Sequence, residues 1–177
     1  MILYFGNMLS KHGQNISFLE QLYPLLKKKY NILAFSTKKN KFYRLIDMLL
    51  GFLSHKSKCK LVFIDVYSNL AFYYALIISF LCYIYNIKYV TVLRGGDLPK
   101  RIVESPQLSK IIFKNAYKNI TPSNFLISKF KNKSIKVDYI PNFLNFKLLN
   151  FKERKKSNPK ILWVRAFHNI YNPIMAL

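Results

Sequence analysis

The stretch LVFIDVYSNLAFYYALIISFLCYIYNIKYVTVLRGGD, residues 61–97, decides the fold. It opens on the apolar run Leu61-Val62-Phe63-Ile64-Asp65 and crosses residues 66–87, the longest part of the chain without a charged side chain. It closes on Tyr89-Val90-Thr91-Val92-Leu93, which stops at Arg94-Gly95-Gly96-Asp97. Short apolar runs on either side of an apolar stretch of helical length spell a strand, a crossover helix over 69–85 and a second strand parallel to the first. Residues 66–87 are also long enough to span a membrane, which takes about 20 apolar residues. Ser68, Asn69 and Asn86 interrupt them, and strand patterns crowd both ends, which favours a buried helix. The alternative is a non-enzymatic membrane module anchored through residues 66–87.

The alternation continues outward in both directions. Ile2 to Phe5 reads as a first buried strand closed by Gly6, followed by a polar loop from Asn7 to Gln14. Ser17-Phe18-Leu19-Glu20 matches a capping box, and Phe18, Leu19, Leu22, Leu25 and Leu26 recur at helical spacing up to Lys27-Lys28-Lys29. Pro24 is expected to kink this helix. Ile32 to Phe35 is the next strand and Phe42 to Leu53 the next helix. Past Asp97, the pattern predicts a helix over 109–117, a strand over 119–121, a helix over 123–130 and a strand over 137–140, with Pro141-Asn142 as a stop. Such alternation implies an α/β fold: a Rossmann-like, mostly parallel sheet with helices on both faces. We assign it residues 1–145. Residues 146–159, which include the polar run Lys152 to Pro159, read as a linker. Residues 160–177 read as the start of an incomplete second domain, with a strand at Lys160 to Arg165 and a helix opening at Tyr171-Asn172-Pro173. A separate chain is one way to complete it.

A chain of 177 residues, half of them apolar, can bury a real core. Two cysteines, Cys59 and Cys82, suggest neither a disulfide scaffold nor a metal knuckle and fit a reducing cytosol. Met1 runs straight into a strand pattern, so no cleavable leader is expected. The 29 Lys and Arg against 7 Asp and Glu leave a formal net charge of +22, which calls for an anionic partner. No helix-turn-helix or RNA-module signature accompanies that charge, so nucleic acid is not expected. A solvated rim explains the Lys clusters, and His55 is expected at the surface and Trp163 in a core.

In a doubly wound sheet, ligands bind beyond the carboxyl ends of the strands. The distinctive polar residues fall there. After the first strand come Asn7, His12 and Gly13, in a loop able to bring backbone amides against a phosphate or sugar or to serve as a plain turn. Asp65 ends the third strand, as a ligand or as a helix cap. Gly95 and Gly96 let the chain turn tightly and let a ligand approach the backbone. Arg94 can grip a phosphate or carboxylate and Asp97 can accept a proton or a hydroxyl, or the two can brace the turn as a pair. Ser123 and Asn142 follow the later strands, and Arg165 the last. There is neither a G-x-G-x-x-G nor a P-loop.

In this order, the first-strand loop from Gly6 to Gly13, Arg94-Gly95-Gly96-Asp97-Leu98-Pro99, Thr121-Pro122-Ser123-Asn124-Phe125, Ile140-Pro141-Asn142 and Lys160 to Arg165 resemble a family 4 glycosyltransferase of the GT-B type. The resemblance implies an acceptor-side domain facing a donor-binding domain, a nucleotide-sugar donor, a glycan or lipid-linked acceptor, and neither metal nor other cofactor. It places Asn7 and Gly13 near donor phosphate and acceptor, Arg94 where a histidine often stands at the reacting centre, and Arg165 on the donor diphosphate. The family's donor-side carboxylates have no counterpart before Leu177, so little transfer is expected from this chain alone. An enzyme of this kind would work in cell-surface polysaccharide synthesis, in the cytoplasm or peripherally at the inner membrane face, against an anionic membrane surface.

Overall fold

The computed structural model describes residues 1–143, 153, 162–164, 167 and 172–176. Met1–Asn142 form one compact unit and Phe143–Leu177 a second. The first unit holds six strands: β1 (Ile2–Phe5), β2 (Ile32–Phe35), β3 (Leu61–Val66), β4 (Tyr89–Leu93), β5 (Lys118–Thr121) and β6 (Asp138–Tyr139). The helices are α1 (Phe18–Lys27), α2 (Lys41–His55), α3 (Ala71–Ile84), α4 (Leu98–Glu104), α5 (Pro106–Lys114) and α6 (Asn124–Lys131).

All six strands are parallel, in the order β2-β1-β3-β4-β5-β6. The chain starts in the interior of the sheet, steps outward to β2, and then crosses β1 to build the rest in one direction. Right-handed crossovers therefore put α1 on one face and the later helices on the other. The packing agrees. Leu19, Tyr23 and Leu26 of α1 meet Tyr4, Ile32 and Val92 on one side. On the other side, Met48, Phe52, Phe72, Ile78, Ile112 and Phe130 pack on Leu3, Phe5, Val62, Ile64 and Leu93. Strand order reverses between β1 and β3, and the loops that leave these two strands flank the crevice there.

The capping box is present: Glu20 N donates to Ser17 Oγ, and Ser17 N donates to Glu20 Oε2. Pro24 lies inside α1, which runs through it to Lys27. The reading of the sequence missed α4, whose Leu98-Pro99 start and charged middle give no apolar period. It also set the following helix three residues late, since α5 begins at Pro106. β6 is two residues, shorter than the four expected. In the second unit, residues 162–164 of the expected seventh strand are not in a strand, and the rest of that strand lies outside the described residues. Trp163 is half-buried and stacks on Phe167 at 6.3 Å, with its indole nitrogen buried and without a hydrogen-bond partner among the described residues.

No helix among the described residues is long and apolar enough to cross a membrane. The uncharged run 66–87 splits into the end of β3, a turn, α3 and a second turn. Phe72, Ala75, Ile78, Ser79 and Cys82 seat α3 on the sheet. The expectation of a buried helix holds for that side only, because Tyr73, Phe80, Tyr83 and Ile84 are exposed.

Candidate functional site

The carboxyl ends of β3 and β4 bring Asp65 and Arg94 together. Asp65 sits beside the Phe5-Gly6 end of β1, and a side chain on Gly6 would collide with its carboxylate, so glycine is required there. The carboxylate is 1 % exposed. Tyr4 donates its hydroxyl to Asp65 Oδ1 at 3.0 Å. Arg94 Nε stands 3.6 Å from the same oxygen, beyond hydrogen-bond reach, so that attraction is Coulombic. The Nε is buried without a hydrogen-bond partner among the described residues. The guanidinium lies over the Phe18 ring at 3.9 Å, and its Nη1 donates to Asn142 Oδ1 at 3.0 Å.

Burial is the largest influence on Asp65. It pushes the carboxyl from its ordinary 3.8 up to about 6, against the pull of Arg94 and the Tyr4 hydrogen bond. Burial, then the neighbouring Asp65 charge, raise the phenols of Tyr4 and Tyr67 above their usual range. A cavity of about 10 Å³ beside Gly6, Asn7, Asp65, Tyr67 and Tyr74 has room for about one water. Asp65 is therefore closed to a sugar-sized ligand in this conformation, and Arg94 is the more open member of the pair.

The glycine pair behaves unequally. A side chain on Gly95 would come within 2.7 Å of the Ser68 backbone nitrogen, so this glycine lets the β4 turn close against the β3 turn. Nothing lies within 4 Å of the same position on Gly96. Asp97 is exposed at the start of α4; the ion pair of Arg94 is with Asp65, so Arg94 and Asp97 do not brace the turn as a pair. Asp65 likewise is no helix cap, since its carboxylate is spent on Tyr4 and Arg94.

The first loop is tied down by its own side chains. Glu20 reaches beyond the capping box to Ser10, accepting from its amide at 3.0 Å and its hydroxyl at 2.6 Å. His12 Nε2 meets Thr37 O at 2.9 Å, and Gly13 adopts φ 77°, a conformation that suits glycine. Asn7 accepts from Arg44 Nη1 at 3.3 Å. Ser123 caps α6 through the Leu126 amide. Arg165 and His168 lie outside the described residues. His55, expected at the surface, is half-buried on Gly51 O at 2.9 Å.

Three contributors escaped the reading of the sequence. Tyr4 looks like any apolar strand residue, and only the pairing of β1 with β3 gives its hydroxyl a carboxylate. Phe18 looks like a helix core position and instead floors the guanidinium. Arg44 is buried in α2, where its Nε and Nη2 donate to Lys38 O and Lys39 O at 2.8 and 3.1 Å. Its signal was a polar stripe, Arg44, Asp47, Gly51 and His55, at helical spacing.

No group of three His, Cys, Asp or Glu side chains gathers among the described residues. A cleft of about 380 Å³ lined by Tyr117, Lys118, Asn119, Ile135 and Asp138 lies where β5 and β6 begin. Ligands of doubly wound sheets bind at the opposite, carboxyl edge, so the Asp65–Arg94 cluster is the better candidate. Compared with protein-family models, with curated proteins and with solved structures, the chain finds no match in any of the three.

Proposed function

We propose that the chain supplies the acceptor-side, Rossmann-like half of a glycosyltransferase, which moves a sugar from a nucleotide-sugar donor to a glycan or lipid-linked acceptor. One observation carries the reading: the buried Asp65–Arg94 pair stands at the strand carboxyl ends, beside the reversal of strand order. A guanidinium in a partly dry site is suited to a phosphate oxygen or to negative charge developing on a leaving diphosphate. Asp65, closed to solvent, is then a positioning residue, which with Phe18 and Asn142 holds the fork in one orientation. Asp97, past the glycine pair and open to solvent, is the carboxylate able to meet an acceptor hydroxyl. Asn7, His12, Gly13, Gly95, Gly96 and Ser123 form the backbone-rich rim; the donor-diphosphate role expected of Arg165 falls outside the described residues.

Calorimetric titration of the chain with nucleoside diphosphates and nucleotide sugars tests the reading; transfer to glycan acceptors is followed only after mixing with a complementary donor-binding chain, because little is expected from this chain alone. Arg94→Gln is expected to weaken diphosphate binding by about tenfold or more, the loss of one charge-assisted contact. The reading fails if wild-type protein binds none of these ligands, or if Arg94→Gln binds them as wild type does.

A further inference from the structure

Helices α2 and α3 lie side by side on the same face of the sheet. Tyr74 of α3 donates to Lys41 O of α2 at 3.0 Å, and the Phe52 and Tyr85 rings stand 6.0 Å apart at the other end. The faces that these helices turn away from the sheet are apolar. On α2, Phe42, Tyr43, Leu50 and Leu53 are exposed with Ile46 between them. On α3, Tyr73, Phe80, Tyr83 and Ile84 are exposed, and Phe80 is 50 % open to solvent. Successive residues advance by about 100° around a helix, so each set forms one outward stripe. α2 departs from an ordinary surface helix: it seats Met48 and Phe52 on the sheet, buries Arg44 and Gly51 beside them, and still turns apolar side chains outward. The neighbouring α5 serves as an internal control, because in the same layer it exposes Gln107, Lys110 and Lys114. A double-helix apolar face of this kind is larger than scattered surface residues explain.

The charge around that face is predominantly positive. Lys38, Lys39 and Lys41 stand at the amino end of α2, and Lys56, Lys58 and Lys60 follow its carboxyl end. Asp47 is the single carboxylate on either helix; it is half-buried, and its Oδ2 accepts from the Ser36 amide at 3.1 Å. Lys38 and Lys39 also share an open groove with Asn40, Tyr43, Ile46, Asp47 and Leu50, which puts two cations and one carboxylate beside apolar side chains. Tyr and Phe with a lysine rim suit the boundary between lipid headgroups and acyl chains. A second copy of the chain is a poor occupant, since docking would bring two like-charged rims together at a net charge of +22 each.

We infer that the outer faces of α2 and α3 form a docking surface for an anionic lipid bilayer, with the aromatic and aliphatic side chains entering the interface and the lysines pairing with headgroup phosphates. The α3 helix of 14 residues is about 21 Å long at 1.5 Å per residue, too short to span, so the contact is tangential. The inference stands independently of sugar transfer.

The test is cosedimentation of the full chain with neutral phosphatidylcholine vesicles and with vesicles containing phosphatidylglycerol. Wild-type protein is expected to partition onto the anionic vesicles, weakly onto the neutral ones, and less as salt rises. Each rim lysine changed to Gln should lower partitioning about fivefold. The double variant Leu50→Ser/Phe80→Ser should lose tenfold or more, while Phe125→Ser on α6 should bind as wild type does. A Phe80→Trp reporter should blue-shift on anionic vesicles and be quenched by brominated acyl chains; it also decides the matter if the double variant does not fold. The inference is overturned if wild-type protein ignores anionic vesicles, if the double variant binds them unchanged, or if the Phe80→Trp reporter shows neither blue shift nor quenching. It is equally overturned if sedimentation velocity shows a dimer that this double variant abolishes, because a second copy then covers the face.

Discussion

Replacing Asp65 by Asn separates the two forces on the buried carboxylate. The Tyr4 hydroxyl keeps an oxygen acceptor and the volume is unchanged, so the substitution removes the charge and little else. Burial raises the Asp65 carboxyl from 3.8 to about 6, so the folded chain holds this proton more tightly than the unfolded chain does. Stability from this group is therefore fully present below about pH 4 and is lost as pH rises to and through about 6. Each pH unit of difference is worth about 1.4 kcal/mol, which makes the ionised carboxylate cost about 3 kcal/mol near neutrality. Asp65→Asn is expected to equal wild type at about pH 4 and to exceed it by about 3 kcal/mol at about pH 7.5. Urea denaturation followed by far-ultraviolet circular dichroism measures both. If Asp65→Asn is the less stable protein at about pH 7.5, the Coulombic pull of Arg94 outweighs burial and the reasoning is wrong. A carboxylate kept at such a cost is the expected mark of a functional group, at the expense of stability.

Asn119 accepts from Thr91 at 2.6 Å and donates to Phe113 O and Lys136 O, pinning β4, β5 and the approach to β6. Asn119→Ala should cost about 3 kcal/mol of unfolding free energy by stranding buried partners. Gly95→Ala should cost about 1–3 kcal/mol, because the new methyl meets the Ser68 backbone rather than a side chain able to move. Ser17→Ala should cost about 1 kcal/mol through the cap of α1, read in the same denaturation experiment. Burial raises both cysteine thiols, Cys82 the more, so dithionitrobenzoate should label Cys82 only as the chain unfolds and Cys59 slowly before that.

Most elements were legible because they are buried on two faces. Continuous apolar runs such as Leu61 to Ile64 have few ways to fold other than as interior strands. The capping box of α1 was legible for a different reason, since Ser17 and Glu20 are close in sequence and need no distant partner. α4 was not, because seven residues beginning Leu-Pro carry little periodicity. The candidate site was half legible: Asp65 and Arg94 stood out as charges at apolar strand ends, but which carboxylate Arg94 pairs with depends on β3 lying beside β4 in register. Sequence proximity pointed to Asp97, and the sheet brought Asp65.

The alternation of strands and helices follows from the sequence alone, because it is a local pattern of burial. The uncharged run 66–87 shows most plainly where that stops. Its hydrophobicity is a sum over all sides of α3, and that sum does not tell the side facing the sheet from the side facing solvent. The same holds for α2, whose Arg44 reads as a solvent residue and is turned inward toward Asn7 and the turn at Lys38 and Lys39. A helical period determines that two faces exist. Only the packing of both helices on one sheet decides which is covered, and so leaves the apolar side of each exposed.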